Sequence, residues 1–304
     1  MNNKSIDISL VMISYNTKQV TLNTLRSIYK HTKNVSFEII VVDNDSKDGS
    51  IEALRKFSKT KKNITLLETG KNTGFGAGNN TGAKKARGEY ILFINSDVLF
   101  KSNVLKKALG WIKTHPEVGV YSCKLLNQDL TVQATGGYFP TLFRVLAWQL
   151  FIDDIPVIKN LIKSIHPHKA FYNKSRSLDW VTGAFIIMPK KLFEKLGGFD
   201  ENIFMYAEEL ELCYRAQKLN VKVVYQNTPS IIHLGGASGG SGFSITQEVK
   251  SMLYFWGKHK PSWQLPFVKL LFIKGSLLRY IIFGIIGNNE TARKAYPEAI
   301  KLAI

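Results

Sequence analysis

Short apolar runs alternate with stretches of helical period through the N-terminal third of the chain, and this alternation leaves few folds open to it. Residues 8–13 (ISLVMI), 38–42 (EIIVV), 64–67 (ITLL) and 90–94 (YILFI) each have the length and composition of a strand buried on both faces. Between the first two, Leu22, Leu25, Ile28 and Tyr29 recur at helical spacing, and residues 50–57 and 78–86 supply two more helical stretches. The order βαβαβαβ predicts an α/β fold with a mostly parallel, Rossmann-like sheet and helices on both faces. Such sheets bind their ligands beyond the carboxyl ends of the strands.

Beyond Pro116 the rhythm changes. Residues 118–121, 180–188, 221–225 and 231–233 read as further strands, 190–196 as a short helix, and 207–218 as a helix with acidic residues at its start. Residues 138–165 are apolar and aromatic with no clear period. Glycine fills most of residues 235–242, the composition of a hinge or a closing loop. Residues 245–304 form a helical appendage. Within it, residues 265–286 are strongly apolar yet carry Lys269, Lys274 and Arg279. Three placements are open for that stretch: packed on the core, lying in a membrane interface with its cations reaching the headgroups, or spanning, for which three cations are unfavourable.

The charge balance is strongly basic, with 41 Lys and Arg against 23 Asp and Glu and a net charge of +18. Such a chain attracts polyanions: nucleic acid, anionic lipid or diphosphate ligands. The basic residues are scattered in pairs and triplets with no nucleic-acid-binding motif beside them, so no nucleic-acid partner is expected. Cys123 and Cys213 stand far apart without CxxC spacing. They argue against a disulfide scaffold or structural zinc, and fit a reduced cytoplasmic compartment. The N-terminal ten residues are too polar for a secretory signal.

Four polar clusters fall where a parallel sheet would meet its ligand. Ser14-Tyr15-Asn16 follows the first strand and Asp43-Asn44-Asp45-Ser46 the second. An acidic residue at the latter place can accept from a base imide or a ribose hydroxyl, while Ser46 or Asp48 would cap the next helix. Residues 72–80 (NTGFGAGNN) lead into a helix whose free N–H groups favour an anion, although the Walker signature is missing. Asn95-Ser96-Asp97 leaves the fourth strand with a carboxylate suited to a hard divalent cation holding a diphosphate.

Taken in order, these clusters resemble the inverting glycosyltransferases of family 2, with their GT-A fold, in the branch that includes bacterial rhamnosyltransferases of polysaccharide assembly. The matching segments continue through residues 179–185, 197–201 and 204–209 to Ile232-His233, and cover roughly residues 8 to 236. The resemblance implies a catalytic domain over 1–236, with a nucleotide half at about 1–115 and an acceptor half at about 116–236, followed by a Gly-rich loop and helical region, 237–304, open to membrane association. It implies a nucleotide and donor site drawn from Ser14, Tyr15, Asn16, Asp43, Asn72, Gly74, Asn79, Ser96, Trp180 and Gly183. It also implies a divalent metal, Mg²⁺ or Mn²⁺, at Asp97, His233 and Asn95. Glu209 matches the general base, with Glu208 as the alternative and Glu211, read as a helix-surface residue, a third candidate.

Two positions depart from the family pattern: Asn95 replaces the first Asp of Asp-x-Asp, and Glu208-Glu209 replaces the usual Glu-Asp. The expected reaction is sugar transfer, favouring dTDP-rhamnose, to a growing cell-surface glycan or polyprenyl-diphosphate-linked acceptor. The expected location is peripheral, at the cytoplasmic face of an anionic membrane. A UDP-hexose donor and a non-catalytic nucleotide-sugar-binding module are the alternatives. A sugar-nucleotide pyrophosphorylase would need a basic, Gly-rich signature where Ser14-Tyr15-Asn16 stands.

Overall fold

The computed structural model describes residues 5–158, 161–235 and 241–304. Its first part alternates β1 (Ile8–Ser14), α1 (Lys18–His31), β2 (Phe37–Asp43), α2 (Ser50–Ser58), β3 (Ile64–Glu68), α3 (Gly74–Ala83) and β4 (Tyr90–Asn95). These strands are parallel in the order β3-β2-β1-β4. The pleat sorts their side chains into two cores. Val11, Ile40, Val42, Ile91 and Phe93 point to one face, whereas Leu10, Met12, Ile39, Val41, Leu92 and Ile94 point to the other. That double burial is why these runs are almost wholly apolar.

Beyond β4 come β5 (Val98–Phe100), α4 (Val104–Lys113), β6 (Val118–Leu126), β7 (Gly136–Gly137), α5 (Leu142–Gln149), β8 (Arg176–Leu178), β9 (Trp180–Val181) and β10 (Phe185–Pro189). After them follow α6 (Lys190–Leu196), α7 (Glu208–Gln217) and β11 (Lys222–His233). The sheet continues β4-β10-β6-β11-β5, with β10 antiparallel to both β4 and β6 and with β8 on the flank of β11. The sheet is therefore mixed, mostly parallel in its N-terminal half.

Several local expectations shift. Residues 180–188 are two strands rather than one, broken at Thr182-Gly183-Ala184, while 221–225 and 231–233 fuse into the single β11. The helix expected from residue 78 starts at Gly74. Glycine is a poor helix former, but a Cβ at Gly82 would overlap Val11 and press on Val42, so close packing on β1 and β2 outweighs propensity here.

The C-terminal region consists of α8 (Ser241–His259), α9 (Leu265–Arg279), a π-helical turn (Tyr280–Ile286) and α10 (Glu290–Ala303). Phe255, Trp256, Val268, Phe272 and Ala299 belong to the same buried cluster as Phe93 and Phe199. α9 packs one face, burying Val268, Phe272, Gly275 and Ser276; Gly275 is needed because a Cβ there would overlap Gln149 of α5. Among the described residues, no helix is long and apolar enough to cross a membrane. The glycine-rich run expected to act as a hinge lies largely outside the described residues.

Candidate active site

Strand register gathers the polar clusters. β1 aligns Ser14 with Asp43 of β2 and Ile13 with Asn95 of β4, so three of the clusters leave the sheet at one rim. His233 arrives there because β11 runs antiparallel to β5, opposite Val98. Its Nε2 lies 3.3 Å from Asp97 Oδ1. Asn95 Nδ2 donates to the same nitrogen at 3.1 Å, and Gln133 Oε1 lies 2.8 Å from Nδ1 on the far side of the ring. Asp97 and Ser96 are both buried.

The acidic pair enters from α7. Tyr206 and Ala207 both adopt left-handed backbone, with φ of 64° and 66°, and this turn delivers Glu208 and Glu209 at the helix start. Successive non-glycine residues in that region are costly and are held only where the surroundings demand them. The free N–H groups of the first helical turn favour negative charge there. Gly183 N–H donates to Glu209 Oε1 at 3.3 Å. The two carboxyls hydrogen-bond to each other, while Oε2 of each is buried without an N–H or hydroxyl donor. Burial, and then the charge of Glu209, push the Glu208 carboxyl well above its ordinary range; burial raises Glu209 as well. The pair thus keeps one proton between its two carboxyls.

Glu211 corrects a sequence expectation. Rather than lying on the helix surface, it is wholly buried, ion-paired with Arg215 and Lys258 and hydrogen-bonded to His259. A carboxylate so thoroughly paired has no free oxygen for chemistry.

On the nucleotide side, Asn44 organises the loop. Its Nδ2 donates to Asn72 Oδ1 at 2.9 Å and to Gly74 O at 3.1 Å, and its Oδ1 accepts from the Thr73 hydroxyl at 2.9 Å. Asp43 Oδ1 accepts from Ser46 N–H at 2.9 Å, but Oδ2 is buried with no partner. An orphan carboxylate oxygen costs folding free energy of about 1–3 kcal/mol and marks a place for a donor.

One cleft of about 240 Å³ unites most of these groups. Tyr15, Asn72, Gly74, Asn95, Ser96, Asp97, Gly183, Glu208, Glu209 and His233 line it. Five candidates from the sequence do not. Ser14 is buried against Thr21 at 3.3 Å. Asn16 braces the neighbouring loop by accepting from Lys47 N–H at 2.6 Å. Asp43 sits behind the rim, at the end of β2. Asn79 donates to Phe75 O from within α3. Trp180 is buried in β9, edge-on to His166. The sequence reading missed Phe75, Thr182, Met205 and Tyr206 in the lining and Gln133 behind it. All but Gln133 adjoin or fall within segments already singled out.

Among the described residues no three His, Cys, Asp or Glu side chains converge as a complete metal cage. Asp97 and His233 nevertheless form a partial donor set that fits a divalent ion completed by phosphate oxygens. Two ligands at about 2.1 Å and at right angles stand roughly 3.0 Å apart, close to the 3.3 Å observed.

Known proteins agree with this architecture. Residues 9–179 match the family model "Glycosyl transferase family 2". Three curated relatives are similar to the chain. The O-antigen biosynthesis protein RfbC of Myxococcus xanthus is 31% identical over 168 residues, 53% of this chain but 12% of its own. Rhamnosyltransferase WbbL of Escherichia coli is 26% identical over 178 residues, 56% of this chain and 64% of its own. The N-acetylglucosaminyl-diphospho-decaprenol L-rhamnosyltransferase of Mycobacterium tuberculosis is 23% identical over 217 residues, 67% of this chain and 70% of its own. The chain thus spans less than two thirds of the length of RfbC and of WbbL. Among solved structures, the mannosyltransferase PcManGT of Pyrobaculum calidifontis, in complex with GDP-Man and Mn²⁺, superimposes with a TM-score of 0.58 at 16% identity, covering 99% of this chain and 86% of its own. The chain thus has the GT-A fold with a helical C-terminal region, and with more than half of its length matched by the family model it belongs to glycosyl transferase family 2.

Proposed function

We propose that the chain is a metal-dependent, inverting glycosyltransferase that takes rhamnose from dTDP-rhamnose to a growing glycan on a polyprenyl-diphosphate carrier. One observation carries the reading: the partial cation site, Asp97 with His233, and the carboxyl pair, Glu208 with Glu209, line the same cleft. Inverting transfer needs both functions within reach of one sugar: a base for the acceptor and charge neutralisation for the leaving group.

Asp43 Oδ2, buried and unpaired behind the rim, becomes an acceptor for the imide N–H of a pyrimidine base once the adjoining loop at residues 44–46 moves aside. Tyr15 and the Asn44-braced loop at Asn72 and Gly74 hold the nucleotide, and Gly183 leaves room for the donor sugar beside the Phe75 ring, which a Cβ would meet at 2.9 Å. Asp97 and His233, with Asn95 alongside, would hold Mg²⁺ or Mn²⁺, which when bound supplies charge neutralisation to the departing diphosphate. Glu209 takes the proton of the acceptor hydroxyl as that oxygen attacks the anomeric carbon from the face opposite the diphosphate. Glu208, holding its own proton, donates to Glu209 and keeps the pair singly charged. No covalent enzyme intermediate is formed.

The name of the mycobacterial relative supports a lipid-linked acceptor, and an exposed apolar stripe supports action at a membrane surface. Trp263, Phe267, Leu270, Leu277 and Ile281 are all exposed at spacings of three, four or seven residues, with Lys274 among them. Between Glu248 and Glu290 there is no acidic residue at all. An anionic surface gains about 1 kcal/mol per well-placed cation. Flotation with anionic but not with neutral vesicles is expected; equal partition would remove the membrane part of the reading.

The decisive assay is nucleotide release from a panel of dTDP-, UDP- and GDP-sugars with and without Mn²⁺, supplied with a lipid-linked acceptor. Metal-stimulated turnover that Glu209→Gln abolishes while donor binding survives is the expected result. Donor binding without transfer by the unmodified protein would favour the non-catalytic module.

A further inference from the structure

An uncharged imidazole carries its proton on one of two nitrogens, and the hydrogen bonds behind His233 decide which. Gln133, one hundred residues away in sequence, places its side-chain amide against both ring and backbone of His233. Its Oε1 lies 2.8 Å from ring Nδ1, while its Nε2 donates to His233 O at 2.8 Å and to Asn127 Oδ1 at 2.6 Å. A backbone carbonyl only accepts, so the nitrogen of the amide must face it and the oxygen must face the ring.

A second line of hydrogen bonds reaches the same orientation independently. The Thr131 hydroxyl donates to the Asp129 carboxylate at 2.7 Å, so it accepts from Asn127 Nδ2 at 2.7 Å. That leaves Asn127 Oδ1 as an acceptor, which only the Gln133 amide nitrogen can serve. Since an amide oxygen has no proton to give, ring Nδ1 is the donor, and in the uncharged ring Nε2 then keeps a bare lone pair. Asn95 Nδ2, donating to Nε2 at 3.1 Å, agrees.

We propose that Gln133 is a positioning residue that holds His233 in the Nδ1–H form, so that Nε2 faces the cleft as an acceptor beside Asp97. With the other tautomer, Nε2–H would donate to Asp97 Oδ1 3.3 Å away. The two groups would then satisfy each other and close the space between them to a cation. The use of the lone pair rests on the metal reading above; the tautomer itself is a property of the metal-free chain.

Long-range ¹H–¹⁵N spectra of metal-free protein labelled at its six histidines test the proposal, with His233 assigned by loss of its signals in His233→Gln. The unmodified protein is expected to show a protonated Nδ1 and an unprotonated Nε2. Gln133→Leu should move the population towards Nε2–H. It should also weaken Mn²⁺ binding in the presence of nucleoside diphosphate by about 10- to 100-fold, read from the free Mn²⁺ signal in electron paramagnetic resonance. Gln133→Glu, whose carboxylate still accepts from Nδ1–H although its second oxygen then faces the His233 carbonyl, should restore the tautomer and part of the affinity. A merely structural Gln133 would lower Tm in both variants and leave the tautomer alone, which overturns the proposal. So does Nε2–H in the unmodified protein, a result that decides the matter even if Gln133→Leu fails to fold. The expected tautomer without any Mn²⁺ binding would leave the positioning role standing and remove the metal reading instead.

Discussion

Glu211→Gln should destabilise the fold substantially without touching the cleft. Glu211 lies on α7 and is wholly buried. It accepts from Arg215 Nε at 2.8 Å and Nη2 at 2.7 Å, from Lys258 Nζ at 2.9 Å and from His259 Nε2 at 2.9 Å. An amide keeps the volume, removes the charge and turns a donor towards three groups that need acceptors. The loss is partly offset: Lys258 keeps Asp200 at 2.6 Å, and Arg215 keeps the Gly198 carbonyl at 2.7 Å. His259 keeps no acceptor of comparable strength. Breaking a buried ion pair costs about 3–5 kcal/mol, and the retained partners place the expectation near the lower end, at about 3 kcal/mol. For a chain of 304 residues the unfolding entropy is roughly 0.6 kcal/mol/K, so Tm should fall by about 5 °C.

Scanning calorimetry at several pH values checks both size and cause. The Glu211 carboxyl is held below its ordinary range by its cationic neighbours, which outweigh the cost of burial, and Asp200 is lowered likewise by Lys258, Asn202 and Tyr254. A depressed carboxylate contributes stability that is present above its unfolded pKa of about 4 and is lost as pH falls through the folded value. The gap between variant and unmodified protein should therefore hold from neutrality down to about pH 5 and close only below that, as pH falls through the folded value. A Tm within about 1 °C of the unmodified protein at neutral pH, or a gap that persists in acid, would refute the reasoning.

Other outcomes follow from the same geometry. Glu209→Gln should lower kcat by about 10²- to 10⁴-fold with donor affinity unchanged, whereas Glu208→Gln, which can still donate to its neighbour, should keep most activity; the reverse ranking in steady-state kinetics would reassign the base. The raised Glu208 carboxyl contributes stability below its unfolded pKa that is lost as pH rises through the folded value. Glu208→Gln should thus be more stable than the unmodified protein by about 1 kcal/mol above neutral pH, an advantage that thermal melts should see shrink in acid. Asp97→Asn should weaken Mn²⁺ binding by at least about 10-fold, and unchanged calorimetric titration would remove Asp97 from the metal site. Gly82→Ala forces α3 off β1 and β2 and should cost at least about 1–3 kcal/mol in denaturant unfolding, with no loss expected only if the packing at Val11 yields freely.

Much of the site's layout was legible because it depends on local pattern. Strands β1 to β4 are apolar on both faces, so their identity and parallel order follow from hydrophobic period alone, and the polar residues at their ends mark a rim. What escaped depended on partners remote in the chain. Glu211 has the composition of a helix surface and became a buried hub because Lys258 and His259 of α8 close over it. Trp180 had the look of a donor pocket and is instead core, turned edge-on to His166. Gln133 lies in an unremarkable polar stretch that no motif distinguishes.

By itself, then, the sequence determined the α/β class, the parallel half of the sheet and the rim where polar groups collect, since side-chain period and strand length are set within ten residues or so. Only the tertiary structure decided that β11 would lie antiparallel to β5 and carry His233 to Asp97, that two left-handed residues would aim Glu208 and Glu209 into the cleft, and that Gln133 would grip the His233 ring. Those contacts join segments separated by tens to hundreds of residues, and their energy is gained only once the intervening chain has packed. No local propensity carries that information.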